Sequence, residues 1–405
     1  MTILNTSDHL TNAYGTRYTR KYIDAAKQRR LYDQLALSVG APQFDLETRR
    51  GMGETYTFNF LSDMEPGVTA ISESADITPQ DLQDATSTIT PTSLGEALKW
   101  SQLVDLQVYT DFVAKRAGIV GENAMESIEV LAIAAALQGG LVDRSSARAD
   151  LDAGTAADRW TDAYFWRAAT MLKDLRCPQF VDSKGRSMHV AIAHTDAYYD
   201  LFSGGNIISA ATYQDIDIIL KGEVGEVAGF KIIASPFAKV FGGAGADNGT
   251  GAANSAYTLS AAATALDKTL SVSTGTNVAY GRMLTVGTEE TANTFYPKNE
   301  RVRRTSGTTT LVFVGSGSND GVRFGHTTSE YVSNNDSVYP VAYGGPQSLV
   351  KIFANEVGEF GELVGPKKDG LVDQWTSLGW KFFGGYGRYA ENTILRGEYS
   401  SSLDA

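Results

Sequence analysis

Residues 188–201 read Met-His-Val-Ala-Ile-Ala-His-Thr-Asp-Ala-Tyr-Tyr-Asp-Leu, and they indicate the type of fold most directly. The first six residues are mostly apolar, as in a short strand that is buried on both faces. Thr195 or Asp196 is placed to cap a short helix over residues 197–202. A buried strand followed at once by a helix predicts an α/β domain.

The α/β pattern is interrupted by a different segment and then resumes. Further strands are predicted at residues 230–234, 349–353, 378–386 and 393–399. Residues 242–345, which lie in between, are rich in Gly, Ser, Thr, Ala and Asn and show no helical periodicity. Short strand signals within this segment occur at residues 269–273, 283–286, 309–314 and 339–343. Because about 100 residues is too long for a loop, we expect an inserted β domain.

The charge is unevenly distributed over the first hundred residues. Residues 17–30 carry six Lys or Arg side chains against the single carboxylate of Asp24, and they predict either a helix or an extended arm. No Lys or Arg occurs from residue 51 to residue 98. The carboxylates of that segment are Glu54, Asp63, Glu65, Glu73, Asp76, Asp81, Asp84 and Glu96. Strand signals at residues 54–61 and 86–92 surround a polar stretch, so we expect a hairpin without a core of its own.

Two helices are expected after the acidic segment. Between residues 103 and 137 helix-breaking residues are few, and Gly139-Gly140 marks the end of this helix. At 1.5 Å per residue, its length would be about 50 Å. A second helix is expected to begin at Thr155, which has Asp158 three residues further on.

The composition is that of an ordinary globular protein. The chain has 405 residues, of which 42% are hydrophobic and 20% are charged, and a formal net charge of −12. This acidity argues against a protein that coats nucleic acid along its whole surface. The single Cys177 excludes an intrachain disulfide, which fits a reducing cytosol. The longest apolar run, residues 130–137, is too short for a membrane span, and residues 1–10 do not resemble a signal peptide.

Few residues suggest chemistry. His189 and His194 flank one predicted strand, with Asp196 close by, but no third group completes a catalytic or metal site. We therefore interpret both histidines as packing or capping residues. Arg176 would lower the pKa of an exposed thiol at Cys177, but a buried structural cysteine is the favoured interpretation. We predict no catalytic, cofactor-binding or metal-binding residue and no enzymatic activity.

The order of these parts resembles that of the Hong Kong 97-type shell subunits. The second half is more specifically similar to the phage-N-four-like branch of the major capsid proteins of tailed bacteriophages. The residues that carry the resemblance are 188–201, 222–233, Gly379-Trp380-Lys381 and Thr393-Ile394-Leu395-Arg396. These motifs concern packing and turns rather than chemistry, and the resemblance extends over about residues 51–405.

The resemblance implies an α+β fold of the Hong Kong 97 type. Its first parts would be a basic N-terminal arm (1–50), an extended β-hairpin loop (51–100) and a peripheral domain with a long spine helix (101–187). An axial α/β domain (188–241) would follow, interrupted by the inserted β domain (242–345). The last segment (346–405) would complete the axial domain and return strands to the peripheral domain.

The resemblance also implies a function. The chain would assemble with itself into hexamers and pentamers, which form the icosahedral head shell of the virion in the host cytoplasm. Its expected partners are a portal protein, scaffold and decoration proteins, and packaged DNA, which it would bind without sequence specificity on the inner face. No cofactor and no membrane are expected. The alternatives are an encapsulin-like cellular compartment, a surface adhesin or fibre protein and, as a third class, an enzyme.

The acidic loop is expected to contact a neighbouring subunit. The candidate loop residues are Glu54, Asp63, Glu65, Glu73, Asp76, Asp81 and Asp84. The favoured partners are Arg17, Arg20, Arg29 and Arg30 of the arm, unless the arm forms a solvated helix face or contacts DNA phosphates. The alternative partners are Arg301, Arg303 and Arg304 of the insertion. Some shells of this type are cross-linked through a loop lysine, and since residues 51–98 contain none, we expect non-covalent locking.

Overall fold

The protein is described by a computed structural model, which places most but not all of the chain. The described residues are 20–25, 31–32, 43–45, 55–61, 64, 66–67, 79–107, 112–181, 185–203, 223–227, 229–241, 256–273, 283–288, 298–306, 310–314, 321–333, 336–346, 348–353, 360–369 and 374–404. The chain divides into two compact units. The first unit comprises Met1–Ala26, Pro42–Ala124 and Leu349–Ala390. The second unit comprises Lys27–Ala41, Met125–Ser348 and Glu391–Ala405.

In the described residues, the α-helices all lie before residue 204, whereas strands occur throughout. The α-helices are α1 (Gln102–Gln107), α2 (Phe112–Leu137), α3 (Asp162–Asp174) and α4 (Thr195–Ser203), and residues 20–25 are also helical. The strands are β1 (Gln43–Asp45), β2 (Tyr56–Leu61), β3 (Asp84–Ile89), β4 (Thr92–Ser101), β5 (Val142–Asp143), β6 (Phe180–Val181), β7 (Ser187–Ala193), β8 (Glu223–Val227), β9 (Phe230–Ala234), β10 (Ala256–Thr258), β11 (Thr269–Ser271), β12 (Met283–Gly287), β13 (Glu300–Ser306), β14 (Thr310–Val314), β15 (Tyr331–Ser333), β16 (Tyr339–Gly344), β17 (Leu349–Phe353), β18 (Glu362–Asp369), β19 (Trp375–Arg388) and β20 (Ile394–Tyr399). No helix in this described part is long and apolar enough to cross a lipid bilayer.

The first unit is built around the long strand β19, which pairs with β17, β18 and β4. Its side chains alternate between two faces, as the pleat requires. Leu378, Trp380 and Phe382 are buried on one face. The indole Nε1 of Trp380 donates a hydrogen bond to the Asn123 side chain of α2 at 2.8 Å, so α2 covers this face.

The acidic hairpin leaves the sheet from its other face. Strands β2 and β3 pair antiparallel over six residues, from Tyr56 opposite Ile89 to Leu61 opposite Asp84. A Cβ atom on Gly387 would lie only 2.4 Å from Ile89 Cγ1, so a glycine is required where Ile89 packs onto β19. The expected hairpin is therefore present, and its base is attached to the sheet.

The second unit contains the predicted α/β domain. Its sheet has the order β5-β20-β16-β7-β9-β8, and β7 runs parallel to β9. Helix α4 follows β7 directly, as the block at residues 188–201 predicts. Trp160 and Phe165 are buried in the core, where the indole Nε1 of Trp160 donates to the Tyr343 hydroxyl at 2.7 Å.

The strand Tyr339–Gly344 belongs to this α/β sheet and not to the insertion, to which the sequence analysis assigned residues 339–343. It lies between β20 and β7, and all six of its residues are buried. Such a strand needs a partner on both edges and cover on both faces. The α/β sheet supplies these partners and this cover. The sequence did not reveal the assignment, because the strand follows the insertion directly in the chain.

The insertion forms a small β-barrel. Its six strands follow the order β10-β15-β12-β13-β14-β11. The two ends of this path meet, because Leu259 bridges to Val272 and Ser260 N donates to Ser271 O at 2.9 Å. The interior is filled by apolar side chains, among which are Leu284, Val302 and Val332. A closed barrel leaves no open sheet edge.

Two helix boundaries differ from the sequence prediction. The helix expected from Thr155 begins instead at Asp162. Asp158 does not cap it, because its carboxylate accepts a hydrogen bond from Asp152 N at 3.1 Å and stabilises the preceding loop. The single long helix expected over residues 103–137 is described as α1 and α2, and residues 108–111 between them lie outside the described part.

Candidate assembly surface

The acidic hairpin presents apolar and acidic side chains to solvent. The exposed fractions are 70% for Leu61, 65% for Met64 and 48% for Leu82. Asp81 and Asp84 are exposed as well. Because Leu61 and Asp84 are paired across β2 and β3, their side chains emerge on the same face. Large exposed apolar side chains are typical of a surface that another protein covers.

The structure describes only part of the contact set expected from the sequence. Asp81, Asp84 and Arg20 lie within the described residues and are exposed. The remaining candidates lie outside them: Glu54, Asp63, Glu65, Glu73, Asp76, Arg17, Arg29 and Arg30. No acidic loop residue is seen beside an arginine of the arm in the described part, so that pairing stays a prediction.

A second exposed surface lies on the face of the β19 sheet opposite α2, and we call it the open face. Trp375 and Phe383 of β19 stand on it, with exposed fractions of 42% and 39%. Between these two rings lie three exposed lysines, Lys99 of β4, Lys367 of β18 and Lys381 of β19.

The pairing register places the residues of the open face in successive rows. Lys99 and Lys367 flank Ser377, so two lysines occupy one row. Ala97, Gly379 and Val364 form the next row, whose centre at Gly379 has no side chain. Lys381 forms the third row and pairs with Glu362 at 2.8 Å. The order of the rows is therefore aromatic, basic, small and apolar, a Lys–Glu ion pair, and aromatic. The alternation of side chains along a strand predicts which residues of 375–383 share a face of β19. The sequence does not predict which residues of β4 and β18 lie beside them, because that pairing depends on the fold.

Arg301 is not available to a neighbouring loop, and this corrects the alternative set of loop partners. Its guanidinium lies 3.0 Å from Asp196, 3.1 Å from Asp404 and 2.8 Å from the Tyr339 hydroxyl. Burial alone would lower the pKa of Arg301, but these neighbours outweigh burial and raise it. Arg301 thus attaches the barrel to the α/β sheet of its own chain. Arg303, two residues on, is exposed.

The histidines of the α/β domain act in packing, as the sequence analysis expects. His194 Nδ1 accepts a hydrogen bond from the backbone N–H of Asp196 at 3.2 Å, which caps the start of α4. Burial, helped by the charge of Arg301, lowers the pKa of His194 to about 4. Burial also lowers the pKa of His189. Neither histidine belongs to a group of metal-ligating side chains within the described part of the chain.

Cys177 is buried, as expected for a structural cysteine. Burial raises the pKa of its thiol to about 11, so the reactive thiolate is scarce at neutral pH. The proximity of Arg176 in sequence therefore does not activate the thiol.

A buried ion cluster in the barrel has no clear signal in the sequence. The side chain of His326 is fully buried between Glu300 and Glu330, with nitrogen to oxygen distances of 2.8 and 2.6 Å. Glu300 also accepts a hydrogen bond from the backbone N–H of Arg323 at 2.7 Å. Burial alone would lower the pKa of His326, but the two carboxylates outweigh it and raise the pKa. The four-residue spacing of His326 and Glu330 was the only available hint, because Glu300 is distant in sequence.

The barrel has a second ionic attachment. The guanidinium of Arg323 donates to Glu126 of α2 in a bidentate arrangement, with one nitrogen to oxygen distance of 2.7 Å. Bidentate pairs of this kind fix orientation as well as distance. The barrel is therefore bound to its own chain by Arg301 at one site and by Arg323 at another.

Solved structures resemble this chain, whereas no protein-family model and no characterised protein sequence matches it. The capsid of Ralstonia phage GP4 is 10% identical, with a TM-score of 0.51, over 86% of this chain and 84% of that chain. The capsid of cyanophage P-SCSP1u is 12% identical, with a TM-score of 0.48, over 86% of this chain and 83% of that chain. A virus-like particle from Pyrococcus furiosus is 9% identical, with a TM-score of 0.41, over 95% of this chain and 98% of that chain.

These similarities concern the fold. The likeness to the Ralstonia phage capsid extends over most of both chains. The α+β fold of the Hong Kong 97 type, which the sequence resemblance implies, is confirmed. At 10% identity the likeness says nothing further about individual residues.

Proposed function

We propose that this chain is the major capsid protein of a tailed bacteriophage, a structural subunit that assembles into the icosahedral head shell. The observation that carries the proposal is the fold, which this chain shares with the capsid of Ralstonia phage GP4 over 86% of its length. The family resemblance of the sequence blocks around residues 188–201 and 222–233 supports the same conclusion independently of the fold comparison.

The acidic hairpin supports self-assembly. Strands β2 and β3 pair with each other alone among the described strands, so the hairpin lacks a core of its own. Its exposed Leu61, Met64 and Leu82 would remain in water in a monomer. A neighbouring copy covers them in a closed shell, where symmetry satisfies every such contact. Hexamers and pentamers of this chain are the assembly units that we propose.

The proposed shell is held together by non-covalent contacts. Residues 51–98 contain no lysine that a cross-linking reaction in the hairpin needs. Cys177 is buried and is the only cysteine of the chain, so a disulfide network between subunits is excluded.

The remaining parts of the proposal follow from this role. The shell encloses packaged DNA, is assembled in the host cytoplasm, and meets a portal protein and, during assembly, scaffold and decoration proteins. The basic arm (1–50), the hairpin loop (51–100), the peripheral domain, the axial domain and the barrel act as parts of one structural subunit. Buried, unreactive His194 and Cys177 support a structural role rather than an enzymatic one.

Electron microscopy of the purified protein tests the proposal. We expect closed shells from the full chain, alone or with the scaffold protein of its phage. A matched variant replaces residues 62–83 by Asn-Gly, which joins Leu61 to Asp84 in their native pairing through a tight turn. This variant should fold, by circular dichroism and thermal melting, but should form no shells. A full chain that stays monomeric with its phage partners would refute the proposal, and shells filled with a cargo protein instead of DNA would favour the encapsulin-like alternative.

A further inference from the structure

We infer that His326, Glu300 and Glu330 form a pH-controlled latch on the seam at which the inserted barrel closes. The seam is the line where β10 and β11, the two ends of the strand path, meet. A charged His326 keeps the seam closed, and deprotonation of His326 releases it. The inference goes beyond the proposed function, because the latch lies within a single chain and acts whether or not a shell forms.

The seam is the weakest strand pairing of the barrel. In the described part of the barrel, every other pair of neighbouring strands shares at least three residue pairs. The seam has the single bridge between Leu259 and Val272, beside which Ser260 N donates to Ser271 O at 2.9 Å. Local opening begins where few contacts hold a structure together. The seam is therefore the part of the barrel that opens first.

Residues 326–330 support the seam from one side. Ser329 N donates to Leu259 O at 2.8 Å, and Leu259 N donates to Glu330 O at 2.9 Å. Strand β15, which pairs with β10, begins at the next residue, Tyr331. The residue at which the barrel closes is thus bonded to the segment that carries two members of the latch.

The side chain of Glu330 fixes the shape of this segment. Its Oε1 accepts hydrogen bonds from the backbone N–H and the hydroxyl of Thr327, at 2.9 and 2.8 Å. Its Oε2 lies 2.6 Å from His326 Nδ1. Ser329 has a φ of 73°, which is unfavourable for a residue other than glycine. The contacts of Glu330 hold the segment in this unfavourable conformation.

Both carboxylates of the latch depend on the second proton of His326. A charged imidazole donates from Nδ1 to Glu330 and from Nε2 to Glu300, whereas a neutral imidazole has only one N–H. Glu300 keeps its bond, because its side chain is 2% exposed and also accepts two backbone N–H groups. Glu330 is 28% exposed and can turn to water. Deprotonation therefore frees Glu330 and, with it, the segment that supports the seam.

The sign of the pH dependence follows from the same contacts. Burial alone would lower the pKa of His326, but its bonds with Glu300 and Glu330 outweigh burial and raise the pKa. The latch therefore stabilises the closed seam fully below 6.5, the usual pKa of histidine. This stabilisation is lost as the pH rises from there through the raised value.

Other charged groups around the latch are bound elsewhere. The guanidinium of Arg323 donates to α2, and that of Arg301 binds the α/β sheet. Residues 259–266, β12 and β14 carry no titratable side chain. The carboxylate of Asp267 accepts hydrogen bonds within its own loop, and β15 carries Tyr331 as its one titratable group. The two glutamates therefore control the titration of the latch.

A disulfide across the seam tests the inference. The hydroxyl oxygens of Thr258 and Ser273 lie 3.3 Å apart across the seam, so the variant Thr258→Cys/Ser273→Cys is placed to form a disulfide on oxidation. The native Cys177 is buried and does not interfere. Hydrogen exchange of residues 258–273 in the unassembled full chain, corrected for the intrinsic base-catalysed rate, measures seam opening. Nuclear magnetic resonance of the imidazole ring measures the titration of His326 itself.

The reduced and oxidised forms of this variant should respond differently to pH. In the reduced form, the seam protection factors should fall by up to about tenfold per pH unit between 6.5 and the titration midpoint of His326, and then level off. In the oxidised form they should change by less than about twofold, although His326 still titrates. Constant protection in the reduced form while His326 titrates overturns the inference. A fall of the same size in the oxidised form also overturns it.

A substitution at Glu330 tests the latch without a cross-link. Glu330→Gln removes one of the two carboxylates that hold the proton of His326, so the titration of His326 and the fall in seam protection should both move to lower pH. The matched variant Asp267→Asn removes a carboxylate that does not act on His326 and should move neither. An unchanged pH profile of seam protection in Glu330→Gln, or an equal shift in Asp267→Asn, overturns the inference.

Discussion

The acidic hairpin and the inserted barrel are both β structures that extend from the main sheets, but they are stabilised in different ways. The barrel closes on itself through the bridge between Leu259 and Val272 and fills its interior with residues such as Leu284 and Val302. The hairpin has two strands and exposes Leu61 to solvent. Three or more strands or a packed face are normally needed for independent stability. The barrel is therefore complete within one chain, whereas we propose that a second copy covers the hairpin.

The largest loss of subunit stability should come from removing Arg301, which attaches the barrel to the α/β sheet. Arg301→Met leaves Asp404 buried without its cation, and breaking a buried pair in this way costs about 3–5 kcal/mol. The matched variant Arg303→Met removes an exposed arginine from the same strand and should change the free energy of unfolding by less than about 0.5 kcal/mol. Urea denaturation of the unassembled subunit measures both. Equal effects would mean that Arg301 does not attach the barrel.

Truncation of apolar side chains should separate the two regions. Leu284→Ala in the barrel core should destabilise the subunit by about 2–5 kcal/mol. Leu61→Ala in the hairpin should change subunit stability by less than about 0.5 kcal/mol, because Leu61 is already exposed, yet it should weaken assembly. Chemical denaturation and shell yield, measured on the same preparations, give the two readouts. A large loss of subunit stability from Leu61→Ala would show that the hairpin packs within its own chain.

The pH dependence should also differ between the two regions. The folded pKa of His326 is raised above its usual value of 6.5, so the charged histidine stabilises the barrel fully below that pH. This stabilisation is lost as the pH rises through the raised value. Burial would raise the pKa of Glu330, but its hydrogen bonds with Thr327 and His326 lower it, so its contribution is lost only in acid.

The hydrogen-exchange protection factors of residues 321–333, corrected for the intrinsic base-catalysed rate, should therefore fall as the pH rises through the raised pKa of His326. The variant His326→Gln should remove this dependence, and His9→Gln is the matched control. Residues 51–98 contain no histidine, so shell assembly should be insensitive to pH across the same range. A fall in the corrected protection factors with rising pH that survives in His326→Gln would assign the titration to another group.

The smallest effect per ion pair should be the change in stability with salt concentration. Each exposed ion pair of the hairpin contributes only about 0–1 kcal/mol, but a shell repeats the contact many times. Shell melting temperature should therefore fall between low and high ionic strength, while barrel opening, which depends on the buried Arg301, should change little. Denaturing gels of mature shells should show a single band near 43.5 kDa, and a ladder would contradict non-covalent locking.

Local signals in the sequence predicted the elements but not all of their partners. Apolar periodicity and turn residues predicted several elements that the structure contains. These are β7, α4, the hairpin strands β2 and β3, and the strand Phe230–Ala234. The strand Tyr339–Gly344 was also recognised as a strand, yet it was assigned to the wrong sheet. Strand pairing is decided by contacts between residues far apart in the chain, and one sequence does not report them.

The same limit applies to the candidate assembly surface. The acidic character of residues 51–98 and the absence of lysine there are properties of composition, and the sequence is sufficient to state them. On the open face, Lys99 lies near Lys367 and Lys381. Both are more than 250 residues away from Lys99 in the chain, and the three lysines come together only through the register of β4, β19 and β18. Arg301 looked like an exposed insertion arginine until the fold brought Asp196 and Asp404 to it.

The sequence by itself determined the kind of protein: an α+β chain with a long helix, an acidic hairpin and a β-rich insertion, without an apparent catalytic constellation. These features depend on hydrophobic periodicity, glycine punctuation and charge, which act over a few residues. Only the tertiary structure decided that the insertion closes into a barrel, that His326 lies between Glu300 and Glu330, and that Trp375 and Phe383 are exposed on one face of the β19 sheet. Burial and pairing arise when distant segments exclude water together, so they are properties of the folded chain.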